Sequence, residues 1–184
     1  ARPEVLSKIT TAVSGGELAI RLDGSLLDRL GFALSTSLTR PIVRYHLTVK
    51  SLASLDLTGF VHVDAAELHT GSLSLKLKGA GEIIIGSLTA QHVAATLQGA
   101  GRIELSGQVE EQDVAIQGPG LYQALDLKSR RARVSLKGLG RARVWAVDEL
   151  KVKVRGLGRI EVRGTPVTKE DISPRAPLPR FGHL

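Results

Sequence analysis

The sequence contains no cysteine, no methionine and no asparagine, and only 1 Trp, 2 Tyr and 3 Phe among 184 residues. Without cysteine the chain forms neither a disulfide bond nor a cysteine-ligated metal site. Without asparagine it has no acceptor for N-glycosylation. Because aromatic side chains are so scarce, a buried core has to be built from Leu, Val, Ile and Ala. The avoidance of thermolabile residue types fits a heat-adapted source, and it fits a GC-rich genome with chance composition equally well.

Long apolar runs are absent too. No stretch approaches the roughly 18 apolar residues of a membrane-spanning helix, so no transmembrane segment is predicted. A length of 184 residues fits one domain with a sizeable core. The chain opens with Ala1-Arg2-Pro3 and shows neither an initiator Met nor a signal peptide. We expect either trimming of the natural chain or removal of a secretory leader.

One pattern recurs through most of the chain. An alternating strand enters a Gly-x-Gly corner and a second alternating strand leaves it, most clearly at residues 72–85, with a weaker copy at Gly59. The first glycines of successive copies are 20, 20, 19, 20 and 18 residues apart. Glycine is needed where a chain turns with positive φ or where successive turns pack closely. The predicted corner residues are Gly79, Gly81, Gly99, Gly101, Gly118, Gly120, Gly138, Gly140, Gly156 and Gly158.

The repeat predicts a solenoid. Positions two, four and six before each first glycine, and four and six after it, are apolar with the single exception of Gln112. A period of two within strands means that one face points inward, and a period of about 20 means that each copy stacks on the previous one. Leu68, Leu88 and Val147 suggest a third inward segment per turn. We therefore predict an all-β, right-handed parallel β-helix of six or more coils, the hand following the usual crossover chirality. A left-handed β-helix would show a six-residue repeat, and an immunoglobulin-like sandwich would not keep this register.

The predicted organisation is a single domain in three parts. Residues 1–50 form a cap and irregular first coils, since a solenoid end needs covering. Residues 51–165 form the repeats, and residues 166–184 form an extended Pro-rich tail. Alternation predicts strands at 17–24 and 43–49 within the first part.

Two local questions stay open. Residues 25–31 fit either a short helical turn or a loop. The tail, through Phe181 and Leu184, is expected to dock either on its own last coil or on a neighbouring subunit.

Charge is distributed unevenly along the repeats. Residues 51–127 carry three basic and nine acidic residues, whereas residues 128–163 carry twelve basic and three acidic ones. Like charges on stacked coils need counter-charges nearby. Three sources of counter-charge stay open: an anionic polymer, such as acidic polysaccharide, lipopolysaccharide or nucleic acid; an acidic patch of a second copy (Glu104, Glu110, Glu111 and Asp113); and solvent and salt. With only Trp145 nearby, stacked single-stranded nucleic acid is disfavoured. The candidate interface residues are Arg131, Arg133, Lys137, Arg141, Arg143, Lys151, Lys153, Arg155, Arg159 and Arg163.

No catalytic constellation stands out, and no catalytic, cofactor-binding or metal-binding residue is predicted. A calcium-dependent lyase site would favour clustered acids. The acids near the first coil, Asp56, Asp64 and Glu67, do not recur in the next coil. The five histidines show no metal-ligand spacing, and His62 and His69 are expected to point outward or lie in loops. The repetition of the Gly-x-Gly element favours turns over phosphate cradles.

The repeated strand–Gly-Ala-Gly–strand units, the opening at residues 15–20 and the close at residues 164–167 resemble the head GIN domain family, over about residues 13–168. That family is described as putative auto-transporter adhesin. The resemblance implies a β-helical fold, export to the cell surface or envelope and an adhesive or structural role. The resulting hypothesis is a non-catalytic, secreted or cell-surface protein that self-associates as an oligomer or filament. The alternative is a β-helix that binds acidic polysaccharide, or cleaves it as a lyase would, through its basic coils.

Overall fold

The computed structural model describes residues 9–22 and 45–172. The chain divides into two compact units, Ala1–Thr48 and Val49–Leu184. In the first unit, β1 (Ile9–Ser14) and β2 (Glu17–Leu22) form an antiparallel hairpin. Gly15 and Gly16 make its two-residue turn with φ values of 58° and 81°. Positive φ at both positions matches the twist of a tight hairpin.

Of the two strands predicted in the first part of the chain, one is present and one is not. The predicted strand at 17–24 is confirmed as β2, and β1 was not predicted. The predicted strand at 43–49 is wrong in its described part, because residues 45–49 form no strand and their three large apolar side chains are exposed. Alternation alone makes no strand where no neighbouring strand pairs with it. Residues 25–31 lie outside the described residues.

The second unit contains a parallel β-solenoid of about six turns, which confirms the predicted fold class. Every strand pair in this unit is parallel, and the glycine steps of the sequence become the register: Gly59 lies opposite Gly79, and Gly79 opposite Gly99. The strands are β3 (Ser54–Gly59), β4 (His62–Ala65), β5 (Leu68–His69), β6 (Ser72–Gly79), β7 (Glu82–Gly99), β8 (Arg102–Gln117), β9 (Leu121–Gly138), β10 (Arg141–Gly156), β11 (Arg159–Arg163) and β12 (Val167–Ile172).

Each turn of the solenoid has three sides. In the turn made by β7, residues 82–85 form side B, residues 88–90 form side C and residues 92–99 form side A, with changes of direction between them. The Gly-x-Gly corner joins side A of one turn to side B of the next. Outward residues of one side therefore form rows along the solenoid, one residue per turn, at the strand spacing of about 4.8 Å.

The core is aliphatic and follows the predicted columns. From β6 to β11 the inward apolar residues before and after each corner are buried. In the first coil, Leu55, Leu57 and Ala65 pack against this core and are half-buried. On side C, Leu88 is buried and Leu68 is half-buried, as predicted. The prediction for Val147 is wrong: Val147 is 40% exposed and Ala146 is buried instead. In β10 the alternation of side B runs on unbroken to Ala146. The register with β9 shifts between Val144 and Trp145, so side C starts at once and Val147 falls on the exposed face.

The two glycines of each corner have different surroundings. Gly156, a first glycine, has a φ of 130°, and a Cβ there would also lie 2.5 Å from the carbonyl oxygen of Gly138 in the preceding turn. Gly158, a second glycine, is buried, and a Cβ there would collide with the Leu136 side chain and lie 2.6 Å from the carbonyl oxygen of Gly140. The corner is thus narrow because two turns touch there through their backbones.

Strand pairing continues beyond the last corner. β12 pairs in parallel with side A of β10 as far as Ile172, so the final described strand belongs to the solenoid sheet. The remaining tail, with the predicted docking residues Phe181 and Leu184, lies outside the described residues.

Candidate functional site

The ten predicted basic residues lie on the outer surface of the last three turns, in rows fixed by the strand register. The structure divides them into two groups. Six have a carboxylate of the same chain within 4.0 Å, namely Arg131, Arg133, Arg143, Lys151, Lys153 and Arg163. The other four, Lys137, Arg141, Arg155 and Arg159, have no such partner among the described residues.

The strongest pairing is on side A, where two arginines of β9 meet two acids of β8. Arg131 Nε donates to Glu111 at 2.8 Å, and Arg133 Nη1 donates to Asp113 at 3.0 Å and to Glu111 at 3.3 Å. The hydrogen bond from Arg131, with a further contribution from Arg133, holds the pKa of Glu111 below its usual range. These arginines are therefore occupied by the preceding turn of their own chain.

In the next turn, the basic residues of β10 pair with acids of the following strands or of β10 itself. Lys153 Nζ lies 2.9 Å from Asp171 Oδ2 on β12, and Arg143 Nε lies 2.7 Å from Glu161 Oε2 on β11. Lys151 Nζ lies 3.3 Å from the Glu149 carboxylate on its own strand. Each of these is an exposed or half-exposed pair, which contributes little to stability by itself but places a carboxylate beside the cation and so lowers the positive charge of that part of the surface.

Trp145, the single tryptophan, makes cation–π contacts with two basic residues. The Arg163 guanidinium lies 4.3 Å from the centre of its ring, and Lys128 Nζ approaches to 5.8 Å. Arg163 also donates to the Asp126 carboxylate at 3.3 Å. Such cation–π contacts fix the guanidinium over the indole face.

The acids proposed above for a second copy are used within the chain. Glu111 and Asp113 pair as described, Glu104 pairs with Arg102, and Glu110 lies 3.6 Å from Arg130. Arg130 itself was not among the candidate residues. The signal for the pairs between β8 and β9 was present in the sequence, because residues about one repeat apart become neighbours in adjacent turns.

The four basic residues that have no carboxylate partner in the described part of the chain surround the last two Gly-x-Gly corners. Lys137 lies opposite Arg155 and Arg141 lies opposite Arg159 in the strand register. Between the two rows stand Leu139 and Leu157, the middle residues of the corners, which are 66% and 63% exposed. We call the six residues Lys137, Leu139, Arg141, Arg155, Leu157 and Arg159 the corner cluster. Sequence reasoning identified its cations but not its leucines, although both corners have the same basic-Gly-Leu-Gly-basic pattern.

A buried polar network interrupts the apolar core beneath β8–β10. Tyr122 Oη donates to Gln112 Oε1 at 3.1 Å, and Gln112 Nε2 donates to Ser129 Oγ at 2.8 Å. Ser129 Oγ in turn donates to the Trp145 carbonyl at 2.7 Å. All three side chains are buried, and burial raises the pKa of Tyr122 above its usual range. The one polar exception in the inward columns is therefore hydrogen-bonded across three turns, which is what a buried amide requires.

Possible sites for chemistry are few in the described part of the chain. His62 and His69 are exposed, as predicted, and each lies beside one glutamate at 3.2 and 2.8 Å. Residues 9–22 and 45–172 contain no group of three or more His, Asp or Glu placed to hold a metal ion. A shallow groove of about 590 Å³ runs along side A, but the charges at its rim are largely those of the Asp113–Arg133 and Lys153–Asp171 pairs.

Residues 9–22 and 45–172 contain no helix, and hence none that is long and apolar enough to cross a membrane.

Comparison with known proteins gives a consistent result. The family model described as putative auto-transporter adhesin, head GIN domain, matches residues 1–166. Among solved structures, a putative adhesin from Bacteroides fragilis is 24% identical with a TM-score of 0.76, covering 94% of this chain and 75% of that one. A putative adhesin from Parabacteroides merdae is 14% identical with a TM-score of 0.64, covering 95% of this chain and 78% of that one. No curated protein sequence matches significantly. At these identities the structures show a shared fold.

Proposed function

Since the chain belongs to the head GIN domain family of putative auto-transporter adhesins, we propose that it is a non-catalytic, secreted or cell-surface adhesin-like solenoid that associates with further copies of itself. The family description supports the surface role. Self-association is supported by the ends of the parallel sheet.

The observation that carries self-association is the pair of terminal strands. Among the described residues, β11 and β12 pair only with β10, and β3 pairs only with β6. A strand edge with free N–H and C=O groups is a template for another strand. Because the two ends of a solenoid differ, contact between them is head-to-tail, and repetition gives open oligomers or filaments.

The experiment is a mass measurement by light scattering over a range of concentrations, at low salt and at 0.5 M salt, with negative-stain imaging. Val167, 69% exposed at the start of the terminal strand, is the residue to change. We expect Val167→Lys to lower the oligomer mass, because a lysine on an edge strand opposes strand addition. Val147→Lys is the matched control, since Val147 is also exposed but lies on the lateral surface of β10. A monomer under all conditions, or equal loss in both variants, refutes association through the ends.

Binding of acidic polysaccharide is the second candidate function. Six of the ten predicted basic residues are already paired, so the four cations of the corner cluster support this function best. Retention on heparin-type and uronic-acid polymers, with product detection, tests binding and lyase-like cleavage separately. Loss of salt-sensitive retention in Lys137→Gln/Arg155→Gln is the expected result, and absence of retention in the unchanged protein rules the function out.

A further inference from the structure

The corner cluster combines two features that occur together only at the end of the corner ridge. Across the described solenoid, the middle residue of each corner is apolar and exposed: Phe60, Ala80, Ala100, Pro119, Leu139 and Leu157. Only the last two have a basic residue on both sides of the glycine pair. In earlier turns the flanking positions include Glu82, Gln98, Gln117 and Leu121. Large aliphatic side chains and cations therefore coincide in two adjacent turns and not elsewhere along the ridge.

The cluster is held on rigid backbone. Leu157 N–H donates to the Gly138 carbonyl oxygen at 3.0 Å, and Arg159 N–H donates to that of Gly140 at 3.0 Å, so the two corners are hydrogen-bonded to each other. Their first glycines have φ values of 105° and 130°, and their second glycines are buried. The two leucines consequently project side by side from a fixed edge, about 4.8 Å apart along the solenoid.

The cations of the cluster form no ion pair within the described chain; Arg155 acts on Asp171 only at longer range, beside the Lys153 ammonium that chiefly lowers the pKa of that carboxyl. None of its four cations has a carboxylate within 4.0 Å there, although the neighbouring rows on sides A and B are paired throughout β8–β11 as described above. Four cations in a two-by-two arrangement, with two leucines between them, match an interface that is anionic at its surface and apolar just below it. We propose that the corner cluster docks the solenoid edge-on onto an anionic lipid bilayer, with the leucines entering the headgroup–acyl boundary and the cations contacting lipid phosphates.

A bilayer explains the leucines better than the other occupants do. An acidic polysaccharide would be recognised by the cations alone and would gain little from two exposed aliphatic side chains. A second copy of the chain could offer mainly the isolated acids Asp56 and Asp64 of its first coil, since the described carboxylates of β8 are already paired, and those acids leave the two leucines unexplained. Interfacial binding, by contrast, depends on insertion of apolar side chains together with attraction to anionic lipid. This inference is independent of self-association through the solenoid ends.

The test is co-sedimentation of the whole protein with two kinds of vesicle. One is phosphatidylcholine alone, and the other is phosphatidylcholine with roughly 30% phosphatidylglycerol, an anionic content that gives a strong surface potential. We expect binding to the anionic vesicles only, and its loss at 0.5 M salt. Lys137→Gln/Arg155→Gln should weaken partitioning about 25-fold, since each cation near an anionic surface contributes roughly a fivefold factor. Lys76→Gln/Lys78→Gln, which removes two cations from an earlier turn, is the charge-matched control and should change partitioning less than about threefold.

The leucines distinguish a bilayer from a soluble polyanion. Leu139→Ala/Leu157→Ala creates Gly-Ala-Gly corners, which the fold already contains at Ala80 and Ala100, so folding should be preserved. We expect this variant to lose about tenfold or more in vesicle binding, while Phe60→Ala, at the equivalent corner of the first coil, leaves binding unchanged.

Two results would overturn the proposal. The first is failure of the unchanged protein to bind anionic vesicles. The second is equal binding by the leucine variant and the unchanged protein, which would identify the cluster as a site for anionic polymer instead. Circular dichroism spectra and melting temperatures of all variants confirm that folding is intact in each comparison.

Discussion

Replacing the first two members of the buried polar network, Tyr122 and Gln112, tests whether Gln112 is an isolated polar residue in the core or half of a matched pair. Tyr122→Phe removes the hydroxyl that donates to Gln112 Oε1 and leaves that oxygen buried without this donor. Gln112→Leu removes the acceptor and leaves the tyrosine hydroxyl buried without it. An unsatisfied buried group costs about 1–3 kcal/mol, so each single change should lower the free energy of unfolding by roughly that amount.

The double variant Gln112→Leu/Tyr122→Phe should cost less than the sum of the two single changes, by about 1–2 kcal/mol, because both partners are removed together. Leucine fits the inward column, since Leu73 and Leu150 occupy the same position in other turns. Ser129 retains its own acceptor, the Trp145 carbonyl, in all three variants.

The assay is urea unfolding, followed by circular dichroism and by the fluorescence of the single tryptophan, whose backbone carbonyl receives the last hydrogen bond of the network. Strictly additive effects of the two changes would refute the reasoning, because they would show that Gln112 and Tyr122 do not depend on each other. Gln108→Leu, at an exposed position of the same strand, is the control for the substitution itself.

Three further outcomes are expected. Leu97→Asp should cost several kcal/mol or prevent folding, because it places a charge without a partner in the buried column; a native melting temperature would contradict the inward assignment. Gly158→Ala should cost about 1–3 kcal/mol or more because its Cβ would overlap the Leu136 side chain, whereas Gly71→Ala, which meets nothing within 4 Å, should be near neutral in a thermal melt. The folded state lowers the pKa of Glu111 from its ordinary 4.5, so the stability it contributes is present above that pH and is lost as pH falls through the lower folded value. Glu111→Gln should therefore lose less stability than the unchanged protein between pH 6 and pH 3 in urea titrations, and identical pH profiles would contradict this.

The solenoid was predictable because its determinants are local and repeated. A glycine step of about 20 residues and a period of two within each strand specify which residues are neighbours and which face inward, without knowledge of any other contact. The same step, applied to side chains, would have placed Glu111 beside Arg131. The apolar columns alone do not reveal these ion pairs, because they specify the inward residues and leave the neighbours of the outward ones unassigned.

The errors lie where the repeat loses its regularity. Val147 stands nine residues after its first glycine, as Leu68 and Leu88 do, but in this turn side C follows side B without a gap, so the same offset lands on the exposed face. Residues 45–49 alternate but pair with no strand within residues 9–22 and 45–172. The exposed leucines of the corner cluster escaped attention for another reason: the middle of a Gly-x-Gly corner is not part of either strand pattern, so an apolar residue there has no assigned direction until the corner is built.

The parallel ladder also determines how the solenoid yields to force. Its inter-strand hydrogen bonds run along the solenoid axis, so tension applied between the two ends opens them one turn at a time instead of shearing whole sheets at once. Each turn of about 20 residues releases at most roughly 65–70 Å of chain when extended. A solenoid held by its ends would therefore lengthen in small, nearly equal steps, dissipating energy at each one while the remaining turns stay folded, whereas a load across the axis would meet covalent backbone along every strand.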